Sequence, residues 1–335
     1  MRRGFMRRAG CFVAVLLFVI LALVAAVAWL LTTAFGSGWM SAVLLIALFL
    51  VVALVLRGVW HAFRVRVAPL GDLIDASQRI EAGEIGTQVD VRGPSEMRAL
   101  SRAFNAMSAR IAADTEERRR LLADVSHELR TPLTVIQGNV EGMIDGLYPA
   151  DREHLERVLA ETRHLERLVE DLRTLSLADA GALPLHREPV DLAALAAEAI
   201  PGFEPQARAA GVTLELEPGP VDLPPLSLDP RRIRQVLGNL LSNALRHTPS
   251  GGRVTVSARP LPDAVELSVS DTGTGMDQAT AARAFDRFWR SGDTAGAGLG
   301  LAIVRDLVRA HGGDVSLESA PGSGTVVRCR FPTAE

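Results

Sequence analysis

The sequence predicts a multidomain membrane protein in which two transmembrane helices precede a long helical region and a C-terminal α+β domain. Residues 9–56 contain no charged side chain. Apolar positions then recur at helical spacing as far as about residue 177. From about residue 185, strand-like segments alternate with helical ones, which is the pattern of an α+β fold. A chain of 335 residues is long enough for two or three such modules.

The charge-free run is about twice the roughly 20 residues that one helix needs to cross a bilayer. The glycines of Gly36-Ser37-Gly38 break it, which predicts a transmembrane region over 1–57 with spans at about 11–33 and 39–56. A cleaved signal peptide is the alternative, but the first apolar run is too long for one. Arginines flank both spans and the connecting loop carries no charge, so the positive-inside rule predicts a multi-pass protein with both termini in the cytoplasm. That loop is too short for an extracytoplasmic sensing domain.

Composition excludes several classes of function. The net charge of −3 gives no reason to expect a nucleic-acid partner. Cys11 and Cys329 form neither a disulfide framework nor a metal-binding pattern. The sequence contains no lysine, which excludes a Walker A loop, a kinase of the lysine-dependent eukaryotic type and a Schiff-base enzyme.

The segment 58–111 predicts two helices joined by a glycine-containing connector. The second opens near Pro94-Ser95-Glu96 and places apolar residues four, three and four apart, at Leu100, Phe104, Met107 and Ile111, as in a coiled-coil seam. These features resemble a HAMP linker, which implies a dimeric parallel four-helix bundle; an unrelated amphipathic hairpin is the alternative. The seam lapses over 112–120 and resumes at Leu122, and we hypothesise that this change of phase passes motion to the helix that follows.

The stretch 124–134 combines His127, an adjacent Glu128 and, one helical turn on, Thr131. A neutral imidazole is a good nucleophile near neutral pH, and a neighbouring carboxylate can fix its tautomer. A solvated surface pair is the plain alternative. A zinc-protease helix would need a second histidine where Thr131 stands, so zinc is not expected.

The string from Asp124 to Thr134 resembles the phosphoacceptor site of sensor histidine kinases. Its helix is predicted to end near Asp145, and a second helix runs from Asp151 to about Leu177. Such a hairpin cannot bury both apolar stripes alone, and pairing two hairpins into a four-helix bundle does so. The resemblance implies a dimerisation and phosphotransfer domain at about 115–180, with His127 as acceptor, Glu128 as orienting base and Thr131 positioning water.

Four motifs mark the last domain, predicted at 185–333. In the helical segment 239–247, Asn239 and Asn243 lie on one face, where amide oxygens could reach Mg²⁺. A strand leads into Asp271, whose loop includes two glycines that permit a close turn. An aromatic segment with two arginines, 285–290, and a glycine-rich segment opening a helix, 296–301, complete the set.

Together these motifs resemble the ATP-binding domain of histidine kinases and of the wider GHKL superfamily, an α+β sandwich with the Bergerat fold. The resemblance implies Asn243 as a ligand of Mg²⁺ and Asp271 as the acceptor for the adenine amino group. Asn239, a second candidate ligand by its spacing, stands where ATPase relatives carry a water-activating glutamate, and a neutral amide there suits transfer to histidine rather than hydrolysis. It implies Arg246 and Arg290 as phosphate-directed charges and the segment 291–297 as part of a lid. The remaining residues implied at the nucleotide site are His247, Gly273, Gly275, Gly296, Gly298 and Gly300.

The sequence therefore predicts a sensor histidine kinase of the bacterial inner membrane that uses ATP and Mg²⁺. We expect a homodimer that phosphorylates His127 and passes the phosphoryl group to an aspartate of a separate response regulator, which it also dephosphorylates. The stimulus would be detected within the bilayer or through a partner membrane protein. A GHKL-type ATPase or kinase-inactive scaffold is the first alternative, and a non-enzymatic membrane receptor the second.

Overall fold

The computed structural model describes residues 15, 18–20, 22–30, 33, 39–66, 68–217, 223–289 and 297–333. It divides the chain into two compact units, Met1–Arg120 and Leu121–Glu335. Within the described ranges, one helical segment, Ala42–His61, is long and apolar enough to cross a membrane, and Phe18–Leu30 is a shorter apolar helix. The first predicted span, 11–33, is described only in part, so the expected pair of transmembrane helices is not established.

The first unit contains helix α1 (Trp39–Arg66), helix α2 (Ala68–Glu81) and the start of helix α3 (Ser95–Ile144). Three side chains, Leu73, Ala76 and Phe104, form a small core between α2 and α3. The connector between these helices follows α3, where the Asn105 amide exchanges two hydrogen bonds of 2.9 Å with the main chain of Val89. A polar side chain thus fixes a connector that has few apolar residues of its own.

The predicted seam of α3 is only partly covered within one chain. Phe104 is buried, but about half of the surface of Leu100 and of Met107 is exposed. Exposed apolar side chains at coiled-coil spacing are typical of a helix that packs against the helices of a partner chain.

The second unit begins with the remainder of α3, which is continuous for 50 residues and includes Pro132. The helix therefore runs unbroken through 112–120, where the apolar seam lapses. After a turn at 145–151, helix α4 (Arg152–Asp179) returns antiparallel as the second arm of a hairpin. Its start is set by Asp151, whose side chain caps the main-chain N–H of His154 at 3.0 Å.

The turn of the hairpin is packed by an aromatic pair. The rings of Tyr148 and His154 stack with centroids 5.3 Å apart. Gly142 leaves room for the Tyr148 ring, which a side chain at that position would meet. Outward-facing apolar side chains remain along both arms, the most exposed being Leu122, Leu133, Ile144, Leu155 and Val169.

The rest of the second unit is an α+β sandwich, as predicted. A five-stranded sheet has the order β2 (Thr213–Leu216), β4 (Arg253–Pro260), β5 (Ala264–Asp271), β7 (Gly324–Pro332) and β6 (Asp314–Ala320). Only the β2–β4 pair is parallel. Two short strands that the sequence did not indicate, β1 (Glu188–Val190) and β3 (Leu226–Leu228), form a separate antiparallel pair.

Helices cover one face of the sheet. They are α5 (Leu192–Ala199), α6 (Glu204–Ala210), α7 (Pro230–His247), α8 (Gln278–Arg283) and α9 (Gly300–Ala310). The core lies between this layer and the sheet, and its fully buried members include Ile233, Leu237, Leu241, Leu267, Ile303 and Phe331. Helices α7 and α9 pack together, and their adjoining ends position most of the predicted nucleotide motifs.

Candidate functional site

The predicted acceptor lies on the surface of helix α3. His127 is exposed, Glu128 beside it is half-buried, and Thr131 is exposed one turn further on. The Thr131 hydroxyl donates a hydrogen bond of 3.3 Å to the main-chain carbonyl of His127, which confirms that the two residues share a face. Solvent and incoming groups can therefore reach the imidazole directly.

Helix α7 carries the two predicted asparagines. Asp229 caps its N-terminus by accepting from the main-chain N–H groups of Arg231 and Arg232, and Pro230 occupies the first turn. Apolar positions on one side of α7 enter the core, which leaves Asn239 and Asn243 half-buried on another side. The Asn239 amide donates to the main-chain carbonyl of Gly300 at 3.3 Å, so it joins α7 to the start of α9.

Asp271 lies at the end of strand β5, where two main-chain N–H groups point at its carboxylate. It is 8% exposed, and its Oδ1 accepts from the main-chain N–H groups of Gly273 at 2.8 Å and Thr325 at 3.2 Å. Burial raises the pKa of this carboxyl above its usual range, while those two hydrogen bonds oppose the shift. Among the described residues Oδ2 has no hydrogen-bond partner, which leaves one carboxylate oxygen for a donor from outside the fold.

The two glycines after Asp271 are required by close packing. A side chain at Gly273 would collide with the main-chain carbonyl of His247, and Gly275 has a φ of +63° with the carbonyl of Ala320 against it. The main-chain N–H of Thr274 also donates to that His247 carbonyl at 3.3 Å. These contacts bind the Asp271 loop to the end of α7, where burial, and then the charge of Arg246, lower the pKa of His247.

The glycine-rich motif is described from residue 297 onward. Gly298 has a φ of +66°, and a side chain there would come within 2.8 Å of the main chain of Phe288 and Trp289. Phe288 itself has a φ of +58°, and its N–H donates to the Gly298 carbonyl at 3.0 Å. A hydrogen bond thus joins the residues on either side of the predicted lid, Phe288 before it and Gly298 after it. Two predicted site residues, Arg290 and Gly296, lie outside the described residues.

These elements enclose a cleft of about 290 Å³. One wall consists of the α7 residues Asn239, Ser242, Asn243 and Arg246 together with the segment 297–301. The opposite wall belongs to helix α4 of the hairpin, a contribution that the sequence analysis missed. His127 is not among the residues that line this cleft.

An arginine within the predicted aromatic motif joins the α+β domain to the hairpin. Arg287 makes two hydrogen bonds, of 2.7 and 2.6 Å, to the carboxylate of Asp179 at the end of α4. It also bonds Asp306 on α9 at 3.0 Å. This arrangement lowers the pKa of Asp179 and raises that of Arg287.

The donors present suit a cation held jointly with a substrate. The described residues contain no group of three or more histidine, cysteine or acidic side chains that could hold a metal ion alone. Amide oxygens at Asn239 and Asn243 fit Mg²⁺, which keeps several waters and is commonly bound through few protein ligands and substrate phosphates. The bare N-terminus of α9, which has no side-chain cap, favours an anion beside them.

Comparison with known domain families divides the chain into three matches. Residues 66–113 match the HAMP domain, 117–181 match the His Kinase A (phospho-acceptor) domain, and 228–335 match the "Histidine kinase-, DNA gyrase B-, and HSP90-like ATPase" family. The matches follow one another in the order that the motifs predicted, and the last supports nucleotide binding by the α+β domain.

Individual relatives agree with these matches. The signal transduction histidine-protein kinase BaeS of Escherichia coli is 33% identical over 272 residues, which cover 79% of this chain and 58% of BaeS. The chain spans between about a third and three-fifths of the length of the first curated relatives that it matches. A solved structure of the Acinetobacter baumannii histidine kinase AdeS is 31% identical with a TM-score of 0.55, covering 62% of this chain and 98% of that one. A second, of the histidine kinase ThkA in complex with the response regulator protein TrrA, is 25% identical with a TM-score of 0.51, covering 67% of this chain and 66% of that one.

Proposed function

We propose a function for this chain from one premise: it belongs to the two-component sensor histidine kinases. In this proposal the α+β domain binds ATP and the chain transfers the terminal phosphoryl group to His127. The observation that carries it is the coexistence, in one unit, of an exposed imidazole on α3 and a buried acceptor at Asp271 beside the Asn239–Asn243 cleft.

The adenine end of the nucleotide is assigned to Asp271. Its Oδ1 is already engaged by two N–H groups, so Oδ2 would accept the hydrogen bond of the exocyclic amine. Gly273 allows the loop to lie against the end of α7, and Gly275 allows it to lie against the main chain of Ala320. A carboxylate whose conformation is fixed in advance loses little entropy on binding, which favours selectivity for adenine.

The phosphate end is assigned to the cleft. Asn243 and Asn239 would hold Mg²⁺ together with the substrate, Arg246 would supply a positive charge, and Gly298 and Gly300 would present main-chain N–H groups. When bound, Mg²⁺ neutralises charge that develops on the phosphates. Arg290 and Gly296 keep their predicted roles as phosphate contact and lid residue.

The transfer step needs a neutral imidazole at His127. A ring nitrogen, which we take to be Nε2, would form the N–P bond while the bond from the terminal phosphorus to the bridging oxygen breaks and ADP leaves. Glu128 would orient the ring and accept the proton of its other nitrogen. Positioning supplies most of the catalysis in such a step, because the protein has little covalent chemistry to perform.

The phosphoryl group would then pass to an aspartate of a separate response regulator. Thr131, on the same face as His127, would position water for the reverse task of dephosphorylating that regulator. The uncovered apolar faces of α3 and α4 support a homodimer built as a four-helix bundle. We also propose two transmembrane spans in the bacterial inner membrane, both termini in the cytoplasm, and a stimulus that arrives through the bilayer or a partner membrane protein.

Labelling with γ-³²P ATP tests the proposal. The full chain in detergent micelles or nanodiscs should acquire an acid-labile, base-stable label that His127→Gln removes, while ATP affinity stays within about twofold. His154→Gln is a matched control, because this histidine lies on the same hairpin at the turn. Nucleotide hydrolysis without any protein label would favour the alternative of a GHKL-type ATPase, and binding without either activity would favour a kinase-inactive scaffold.

A further inference from the structure

Helix α4 contributes a wall to the nucleotide cleft that the proposed function does not use. His164, Arg167, Leu168 and Asp171 line the cleft opposite Asn239, Asn243 and Arg246. Leu168 is buried, which anchors this part of α4 against the α+β domain. The polar neighbours of Leu168 are therefore held at the mouth of a site whose expected ligand is an anion.

The location of the α4 residues in the cleft indicates that they face the phosphate end of a bound nucleotide. Asp271, the acceptor assigned to adenine, does not line the cleft, whereas the phosphate-directed residues of α7 and the segment 297–301 do. A nucleotide with its base at Asp271 therefore extends its phosphates into the cleft. The last phosphate lies furthest from the base and is the part available to α4.

Arg167 has the charge and the freedom to bind that phosphate. Three other arginines of α4, Arg152, Arg157 and Arg173, form ion pairs with glutamates on the same helix. Among the described residues no such pair is found for Arg167, which is exposed. An unpaired guanidinium offers several donors in a geometry that matches phosphate oxygens.

Asp171, one turn further along α4, acts against such a contact. Its carboxyl lies in the same wall, and burial raises its pKa to about 6, with Glu170 adding to the shift and a hydrogen bond from Gln235 and the charge of Arg167 opposing it. At neutral pH most of the population is still ionised. A half-buried carboxylate beside a phosphate repels it, and a lower local dielectric than that of water strengthens the repulsion.

We propose that Arg167, with His164 beside it, binds the terminal phosphate of the nucleotide, and that Asp171 weakens this contact by charge repulsion. The inference rests on the proposed nucleotide-binding function and extends it to residues outside the α+β domain. ATP bound in this arrangement is held against α4, in a cleft that His127 does not line, so transfer requires the phosphate to leave the α4 wall.

Binding measurements on the full chain in nanodiscs test this inference. The non-hydrolysable ATP analogue AMPPNP and ADP, each with Mg²⁺, are titrated calorimetrically against the wild-type chain, Arg167→Ala, Asp171→Asn and the control Arg163→Ala. Arg163 is a close match, because it is also exposed, lies one turn away on α4, forms no ion pair among the described residues and does not line the cleft.

Arg167→Ala should weaken AMPPNP binding about tenfold and ADP binding less than about twofold, since only the former has the terminal phosphate. Asp171→Asn should tighten AMPPNP binding by about three- to tenfold, and Arg163→Ala should change neither. Equal losses for both nucleotides, or an Arg167→Ala protein that behaves like Arg163→Ala, would overturn the inference. A wild-type chain that binds neither nucleotide would instead overturn the proposed function, and a melting temperature no lower than that of the wild-type chain would show that each variant is folded.

Discussion

His127 lies exposed on helix α3, and the side chain that bonds its backbone comes from the same helix. Asp271, in contrast, is buried and is held by its own loop and by strand β7. Thr131 contacts the main chain of His127 and not the ring. Asp271 has one oxygen fixed by N–H groups from its own loop and from strand β7. The fold therefore fixes the proposed adenine acceptor in advance, whereas the proposed phosphoryl acceptor is open to whatever group is brought to it.

This contrast predicts how substitutions should act. Changes at the proposed nucleotide site should alter affinity and metal use even when no transfer occurs, because the residues proposed to bind the nucleotide do not include the acceptor. Changes at His127 should abolish the covalent product and leave binding intact.

The largest effect is expected at the proposed metal ligand. Asn243→Ala should reduce autophosphorylation about 1000-fold, because loss of Mg²⁺ removes several kcal/mol of charge stabilisation in the transition state. Ser242→Ala, in the wall of the same cleft, is the control and should stay within a fewfold of wild type. Initial labelling rates at saturating ATP measure both, and equal rates for the two variants would remove Asn243 from its assigned role.

Replacing one carboxylate oxygen of Asp271 by an NH₂ group tests the proposed nucleotide site without changing the size of the side chain. In Asp271→Asn, Oδ1 can still accept from Gly273 and Thr325, so the new NH₂ group would face the adenine amine, donor against donor. We expect about 100-fold weaker ATP binding and a relative gain for GTP, whose purine oxygen accepts. If equilibrium titration gave unchanged ATP affinity, the base would have to bind elsewhere.

Gly298 and Gly181 have similar φ angles but different surroundings. Substitutions at these two positions therefore separate the effect of steric crowding from the effect of backbone conformation. Gly298 (φ +66°) is enclosed by main chain, whereas Gly181 (φ +62°) has open space around it. Gly298→Ala should weaken ATP binding about tenfold, while Gly181→Ala should pay only the backbone cost of about 1 kcal/mol and leave affinity unchanged. Should both variants bind ATP like wild type, close packing at Gly298 would have no part in forming the site.

The Arg287–Asp179 link offers a smaller effect in the opposite direction. Because His127 does not line the cleft in this arrangement, contacts that hold the α+β domain against α4 oppose transfer. Arg287→Ala should raise the autophosphorylation rate about two- to fivefold. The exposed pair Arg208–Glu204 provides a control, since Arg208→Ala leaves the link intact. A slower rate in Arg287→Ala would mean that the link supports the reactive arrangement.

The smallest effect concerns stability and pH at Asp171. Its pKa is raised to about 6 in the folded chain, so protonation favours folding below the unfolded pKa near 4, and this contribution is lost as the pH rises through about 6. Asp171→Asn should therefore raise the melting temperature by a few degrees at pH 8 and leave it unchanged at pH 4. A uniform shift of the melting temperature at both pH values would contradict burial of Asp171 as the cause.

Much of the fold and of the two sites was predictable because local signals fixed them. Helix α4 starts at its Asp151 cap, helix α9 starts at the end of a glycine motif, and Asp271 ends a strand in which buried and half-buried residues alternate near the end. Spacing alone placed Asn239 and Asn243 on one side of α7. Such features depend on residues close in sequence, which a single chain displays directly.

What the sequence did not indicate depends on contacts between distant segments. In the sequence, Arg167 is indistinguishable from the other charged residues of its helix. Its place in the cleft becomes visible only in the structure, where the α+β domain packs against α4. The partners of Arg287 lie 108 and 19 residues away, and no periodicity connects them. Strands β1 and β3 have three residues each, too few to show an alternating pattern.

The most direct test is to locate the phosphoryl group by mass spectrometry on peptides of the full chain, kept at alkaline pH after incubation with ATP and Mg²⁺. The account predicts one modified imidazole, in the peptide that contains His127, and its absence when Mg²⁺ is chelated. A phosphoryl group on His154, His164 or a hydroxyl side chain, with the His127 peptide unmodified, would contradict it.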